Sequence, residues 1–164
     1  MHIGGPEPPV PDPDRLPVED IGVYEQHGGH TIRRHVDVPP GEEFKRILRQ
    51  GIAADGRFSN RAIAQECVQR AVWSHNGDIR EWLAGPEVEM PYTCVLDMGR
   101  VIGRCLTWDD ISKGVTVARP VTAVRIVLRH DGDLSGGYTV LTAYPTRAPQ
   151  RARTSKQRRP GEQQ

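Results

Sequence analysis

Cysteine is scarce in this chain: Cys67, Cys94 and Cys105 are the only three among 164 residues. An odd count with no CxxC spacing argues against a disulfide framework and against a zinc ribbon. Cys67 falls in an apolar helical stretch and reads as a small packed hydrophobe. A single Cys94–Cys105 bridge between adjacent strands is left open. Long apolar runs are missing too. No stretch approaches the ~20 residues that span a bilayer, and residues 1–20 lack the apolar core of a signal peptide. A net charge of +1 excludes a polycation that holds nucleic acid by bulk charge. No internal repeat is present.

Hydrophobic residues make up only 37% of the chain, beside 14 prolines and 17 glycines. The deficit sits at the ends. Residues 1–20 hold six prolines and five acids, whereas residues 147–164 hold six bases and one acid. Both ends read as disordered arms, a Pro-rich acidic one over 1–21 and a basic tail over 147–164. Residues 22–146 then form one domain of ordinary size, expected to be a monomer. The basic tail reads as solvated with no membrane partner, the alternative being a segment that senses RNA or a membrane surface.

The first half of that domain has helical patterns. Residues 29–36 predict a short helix that stops before Pro39-Pro40. Residues 42–50 place acids first, bases later and Gly51 after, which suits a helix with Phe44, Ile47 and Leu48 on one face. Ser59 or Asn60 caps a longer helix to about residue 74, with Ala64, Cys67, Val68, Ala71 and Val72 at helical spacing. His75-Asn76-Gly77 breaks it before a helix at 78–83 that points Ile79, Trp82 and Leu83 inward.

From Pro86 the pattern changes. Residues 92–97, 100–107, 121–129 and 137–144 predict strands, with 108–120 as a loop. Helices first and strands second imply an α+β fold, with N-terminal helices packed on a C-terminal antiparallel sheet. In the last strand Tyr138, Val140, Thr142 and Tyr144 are two apart, so a regular strand turns all four to one face. Thr139, Leu141 and Ala143 then take the core side. A row of hydroxyls at a strand end suits a phosphate or an oxyanion.

Three histidines cluster at His27, His30 and His35. Two imidazoles three apart, with no thiolate near, are a weak metal signal. His30 and His35 are five apart, roughly 140° around a helix, so one serves chemistry while the other packs or caps. Arg46 lies beside the apolar seam of the next helix, where a planar guanidinium can clamp a phosphate; Lys45 and Arg49 compete for that role. Imidazole suits proton transfer near neutrality, and arginine stabilises charge building on phosphorus without a metal. Threonine bonds a base edge or a phosphate oxygen, and tyrosine donates a proton or stacks on a base.

The segments Gly28–Val36 (Gly-Gly-His-Thr-Ile-Arg-Arg-His-Val), Phe58–Glu66, Ile79–Leu83 and Gly137–Pro145 (Gly-Tyr-Thr-Val-Leu-Thr-Ala-Tyr-Pro) resemble the bacterial ribonuclease A-like toxin domain. That domain closes contact-dependent growth inhibition effectors and related polymorphic toxins. The resemblance implies a kidney-shaped, ribonuclease A-like α+β fold without disulfides. It also implies metal-independent, cofactor-free cleavage of RNA, tRNA among the possible targets. The site it implies is His35, Arg46, Thr142 and Tyr144, with His30 as a second candidate. A cognate immunity protein and delivery into a target cell follow as expectations. After His35-Val36, Asp37-Val38-Pro39-Pro40 stands where the family often has Gly-Lys, with Arg33 or Arg34 as replacement cations. The alternative is a non-catalytic RNA-binding or interaction domain on the same fold.

Overall fold

The structure, a computed structural model, describes residues 14–149. Most of the acidic arm expected over 1–21 and of the basic tail expected over 147–164 lies outside the described residues. Residues 14–20, expected within a disordered arm, instead run along the folded body: Leu16 N donates to Asn76 Oδ1, Leu16 O accepts from Trp73 Nε1, and Pro17 O accepts from the Tyr138 hydroxyl.

Six helices and six strands follow. Helix α1 (Ile21–Gln26) starts at Asp20, whose carboxylate accepts from Gly22 N. Helix α2 is Thr31–His35 and α3 is Glu42–Gln50, closed by Gly51 in the left-handed region. Strand β1 (Ala54–Phe58) precedes α4 (Arg61–Ser74), which Asn60 caps by accepting from Ile63 N. Helix α5 (Asn76–Ala84) follows, with His75 alone between the two helices. The second half holds β2 (Tyr92–Asp97), β3 (Gly103–Thr107), α6 (Trp108–Ser112), β4 (Arg119–Val121), β5 (Ala123–His130) and β6 (Tyr138–Thr146).

The α+β class holds, with four differences in detail. Strand β1 lies among the helices, α1 precedes α2, and the expected 108–120 loop contains α6 and β4. Thr107 and Asp110 start α6 as a reciprocal capping box. Leu48, expected to face inward with Ile47, is 50% exposed. All three cysteines are free and buried, and Cys94 and Cys105 lie in different sheets. No described helix is long and apolar enough to cross a membrane.

The strands form two antiparallel sheets, ordered β1-β3-β4 and β2-β5-β6. The main core lies between α4 and the second sheet. Ala64, Cys67, Val68, Ala71 and Val72 meet Val124, Ile126 and Leu128, all at 0% exposure. Each such valine, leucine or isoleucine contributes about 1.5–3 kcal/mol. A smaller cluster of Ile47, Leu106 and Ala118 seats α3 on the first sheet.

One irregularity decides which side chains reach the site. Val127 pairs with Thr142 but Leu128 pairs with Val140, so Leu141 is an extra residue in β6. This β-bulge resets the alternation. Tyr138 and Val140 are 1% exposed in the core, and beyond the bulge Ala143 takes the core side. Thr142 and Tyr144 turn to the opposite face. The four residues expected on one face are therefore divided two and two. Tyr138 is structural: its hydroxyl lies 3.1 Å from that of Tyr24.

Candidate active site

The bulge also leaves Leu141 O free of its ladder. That oxygen accepts from His30 N at 3.0 Å, which ties the start of α2 to β6. Strand β1 approaches from the other side. Gly56 lacks a Cβ where Pro145 O of β6 comes against it, so the two sheets meet closely there. Between these contacts opens a cleft of about 350 Å³, lined by His30, Arg34, His35, Arg46, Ile52, Ala53, Ala54, Asp55, Thr142 and Tyr144. All five residues singled out from the sequence line this one cleft. Arg34 joins them, whereas Arg49 pairs with Glu42 and Lys45 is exposed.

His35 is 6% exposed, and its Nδ1 lies 2.7 Å from Gly56 O. A carbonyl only accepts, so Nδ1 carries the proton and donates. Nε2 is then the basic nitrogen of the ring. Burial, with Arg46, His30 and Arg34 adding to it, lowers the His35 pKa to about 4 against the Gly56 hydrogen bond. The ring is neutral at pH 7 and stacks obliquely on Tyr144, with centroids 5.3 Å apart.

Asp55 escaped the reading of the sequence. It is 3% exposed on β1 and accepts from Arg46 Nη1 at 2.7 Å. The same Oδ1 accepts from Gly56 N and stands 3.5 Å from His35 Nδ1. With a neutral ring that last contact is polar, not an ion pair. Burial raises the Asp55 pKa to about 6, opposed chiefly by Arg46. One carboxylate thus holds the arginine and borders the histidine.

Thr142 Oγ1 is buried with no hydrogen-bond partner, and so is His30 Nδ1. Burial, then Arg34 and Arg33, hold the His30 pKa below its ordinary value. Burial raises that of Tyr144, whose phenol stays protonated at neutral pH. Among the described residues no group of three or more metal-ligating side chains occurs; His27 instead contacts Asp131 at 2.8 Å. The cleft therefore presents a neutral base, a phenol, a tethered guanidinium and unpaired polar atoms. Such a set can bind a phosphate diester and move protons at its oxygens.

No curated protein matches the chain. The crystal structure of a CdiA-CT/CdiI complex from Y. kristensenii 33638 is similar, at 26% identity and a TM-score of 0.63, over 72% of this chain and 99% of that one. The sequence model described as "Bacterial CdiA-CT RNAse A domain" matches residues 29–145, most of the described fold, and the chain belongs to that family.

Proposed function

We propose that this protein is an endoribonuclease toxin that cleaves RNA by metal-independent transphosphorylation. The meeting of His35, Arg46, Thr142 and Tyr144 on one cleft carries the reading. His35 Nε2 takes the proton of the RNA 2′-hydroxyl, and the freed 2′-oxygen attacks the adjacent phosphorus. Arg46 neutralises the non-bridging oxygens as charge builds on them. The bond to the 5′-oxygen breaks, and Tyr144 donates its phenolic proton to that leaving oxygen. Thr142 and His30 bind the phosphate or the base. The products are a 2′,3′-cyclic phosphate and a 5′-hydroxyl. DNA lacks the attacking group and resists cleavage.

The similar protein of Y. kristensenii is crystallised with CdiI. We infer a corresponding immunity protein for this chain, one that closes the cleft and is acidic enough to match a phosphate-binding surface. Use in interbacterial competition, with delivery into a target cell, follows from the family. The test is incubation of RNA with the protein in excess EDTA, followed by analysis of the product ends. Cyclic phosphate ends that disappear with His35→Ala are expected. Intact RNA, or cleavage that chelator abolishes, contradicts the proposal.

A further inference from the structure

Arg125 lies outside the site described so far and directly beside it. In the register of the second sheet it stands opposite Tyr144 on β6 and opposite Val95 on β2. Opposed residues share a face, so Arg125 belongs to the same face as Thr142 and Tyr144, not to the core face of Val124 and Ile126. Its Nε is buried and has no hydrogen-bond partner. Its guanidinium interacts with the Tyr144 side chain and opposes the effect of burial on that phenol. Among the described residues no carboxylate pairs with it, in contrast to Arg46, whose charge is met by Asp55 at 2.7 Å.

An arginine with an unsatisfied buried N–H, at the edge of an anion-binding cleft, is incomplete without an acceptor. A side chain merely covering the sheet keeps its donors in water. Water or a chloride fills such a place weakly; a phosphate oxygen fits the planar fork in charge and in geometry. We propose that Arg125 is a second phosphate-binding guanidinium of the cleft, which ligates the RNA backbone beside Tyr144 and fixes the Tyr144 hydroxyl against it. This rests on the ribonuclease reading for the identity of the polyanion, and not for the anion site itself.

A 2′-O-methyl oligoribonucleotide, which is not cleaved, measures the contact by its affinity at several salt concentrations. Removing one phosphate contact lowers the slope of log K against log salt by about 0.7 for a single strand. Arg125→Gln is expected to show that loss, and Arg125→Lys to keep the slope because the charge remains. A wild-type slope in Arg125→Gln overturns the proposal. The Nε–H resonance of Arg125, identified in the wild-type spectrum by its disappearance in Arg125→Lys, gives a readout that needs no Gln variant. It is expected to shift on adding the oligonucleotide, and an unmoved resonance also overturns the proposal. Wild-type protein that binds the oligonucleotide with this slope but leaves RNA intact contradicts the ribonuclease reading alone.

Discussion

Arg46 Nη1 lies 2.7 Å from Oδ1 of Asp55, and that single carboxylate oxygen also stands 3.5 Å from His35 Nδ1. The cationic and the basic members of the site are thereby registered against one atom on β1. Positioning of this kind matters because a displacement of about 1 Å can cost on the order of 10²-fold in rate. Asp55→Asn keeps the shape and removes the charge that holds Arg46. The expected result is a fall in kcat/KM of roughly 10- to 100-fold with RNA still bound. Steady-state cleavage of a short fluorescent RNA measures it, and an unchanged kcat/KM shows that Asp55 is only a structural acid.

Asp55 and His35 also make opposite contributions to stability as pH changes. The His35 pKa is about 4 in the fold against an ordinary 6.5, so the unfolded chain binds the extra proton between those values. Stability from this group is lost as pH falls through that window. The Asp55 pKa is about 6 against 3.8, so here the folded state holds the extra proton, and stability is lost as pH rises from 3.8 to 6. Each effect is on the order of 3 kcal/mol when complete. Arg46, Arg34, His30 and Glu43 supply the charges that face these two groups. The two contributions nearly cancel between pH 4 and 6. Urea unfolding across that range should find Asp55→Asn gaining stability with rising pH relative to wild type, and His35→Ala losing it. Parallel curves for all three proteins contradict the assignment.

The rate profile gives an independent reading of the same histidine. A general base must be unprotonated, and His35 stays so down to about pH 4 in the free enzyme. The acidic limb of kcat/KM that belongs to His35 is therefore expected well below pH 6, read in Asp55→Asn, where the carboxyl that titrates at about 6 is gone. A limb centred near 6.5 points to a base at its ordinary pKa, and a rate that rises below pH 5 makes the protonated imidazole the active form.

Much of the fold was legible because its helices advertise themselves locally. The acids, bases and glycine of α3 and the Asn60 cap of α4 state their own ends. Strand β1 does not. Ala54-Asp55-Gly56-Arg57-Phe58 carries residues depleted from strands, and it is extended because β3, far along the chain, pairs with it. Asp55 stayed hidden for the same reason. The Leu141 bulge left no local mark either, since its sequence alternates without a break. The period-two argument put Thr142 and Tyr144 on one face, as they lie, and misplaced Tyr138 and Val140, which the bulge turns into the core. Helix α1 does carry a local signal, Asp20 as a cap before Ile21 and Tyr24, both buried at turn spacing.

Thr142 presents a different case, a hydroxyl that on the proposed reading costs stability until substrate binds. Its Oγ1 is buried without a partner. Thr142→Val preserves the shape and removes the unsatisfied group, which is expected to raise stability by up to about 1 kcal/mol. The same change should raise KM for RNA, with a smaller effect on kcat, because the lost contact is to bound substrate. Thermal melting and steady-state kinetics on one preparation separate the two effects. Lower stability in the valine variant means that the hydroxyl already has a partner in the free protein.

A close approach of the two sheets makes the last prediction. Gly56 gives its carbonyl to His35 Nδ1 and stands against Pro145 O, where any Cβ collides with backbone. Gly56→Ala cannot be relieved by rotating a side chain, so β1 and the end of β6 must separate. Overpacking of this kind costs about 1–3 kcal/mol. The separation also carries Gly56 O away from His35 and Asp55 away from the cleft, so activity should fall at temperatures where the variant is still folded. Pro145 belongs to the strand that carries Tyr144, and the phenol is displaced in the same movement. Melting temperature, cleavage rate and the His35 pKa by NMR follow the three consequences separately. A rise of the His35 pKa toward 6.5 is expected, because the loosened site admits water. A destabilised variant with wild-type cleavage and an unmoved histidine shows instead that the sheet junction supports the fold without setting the site.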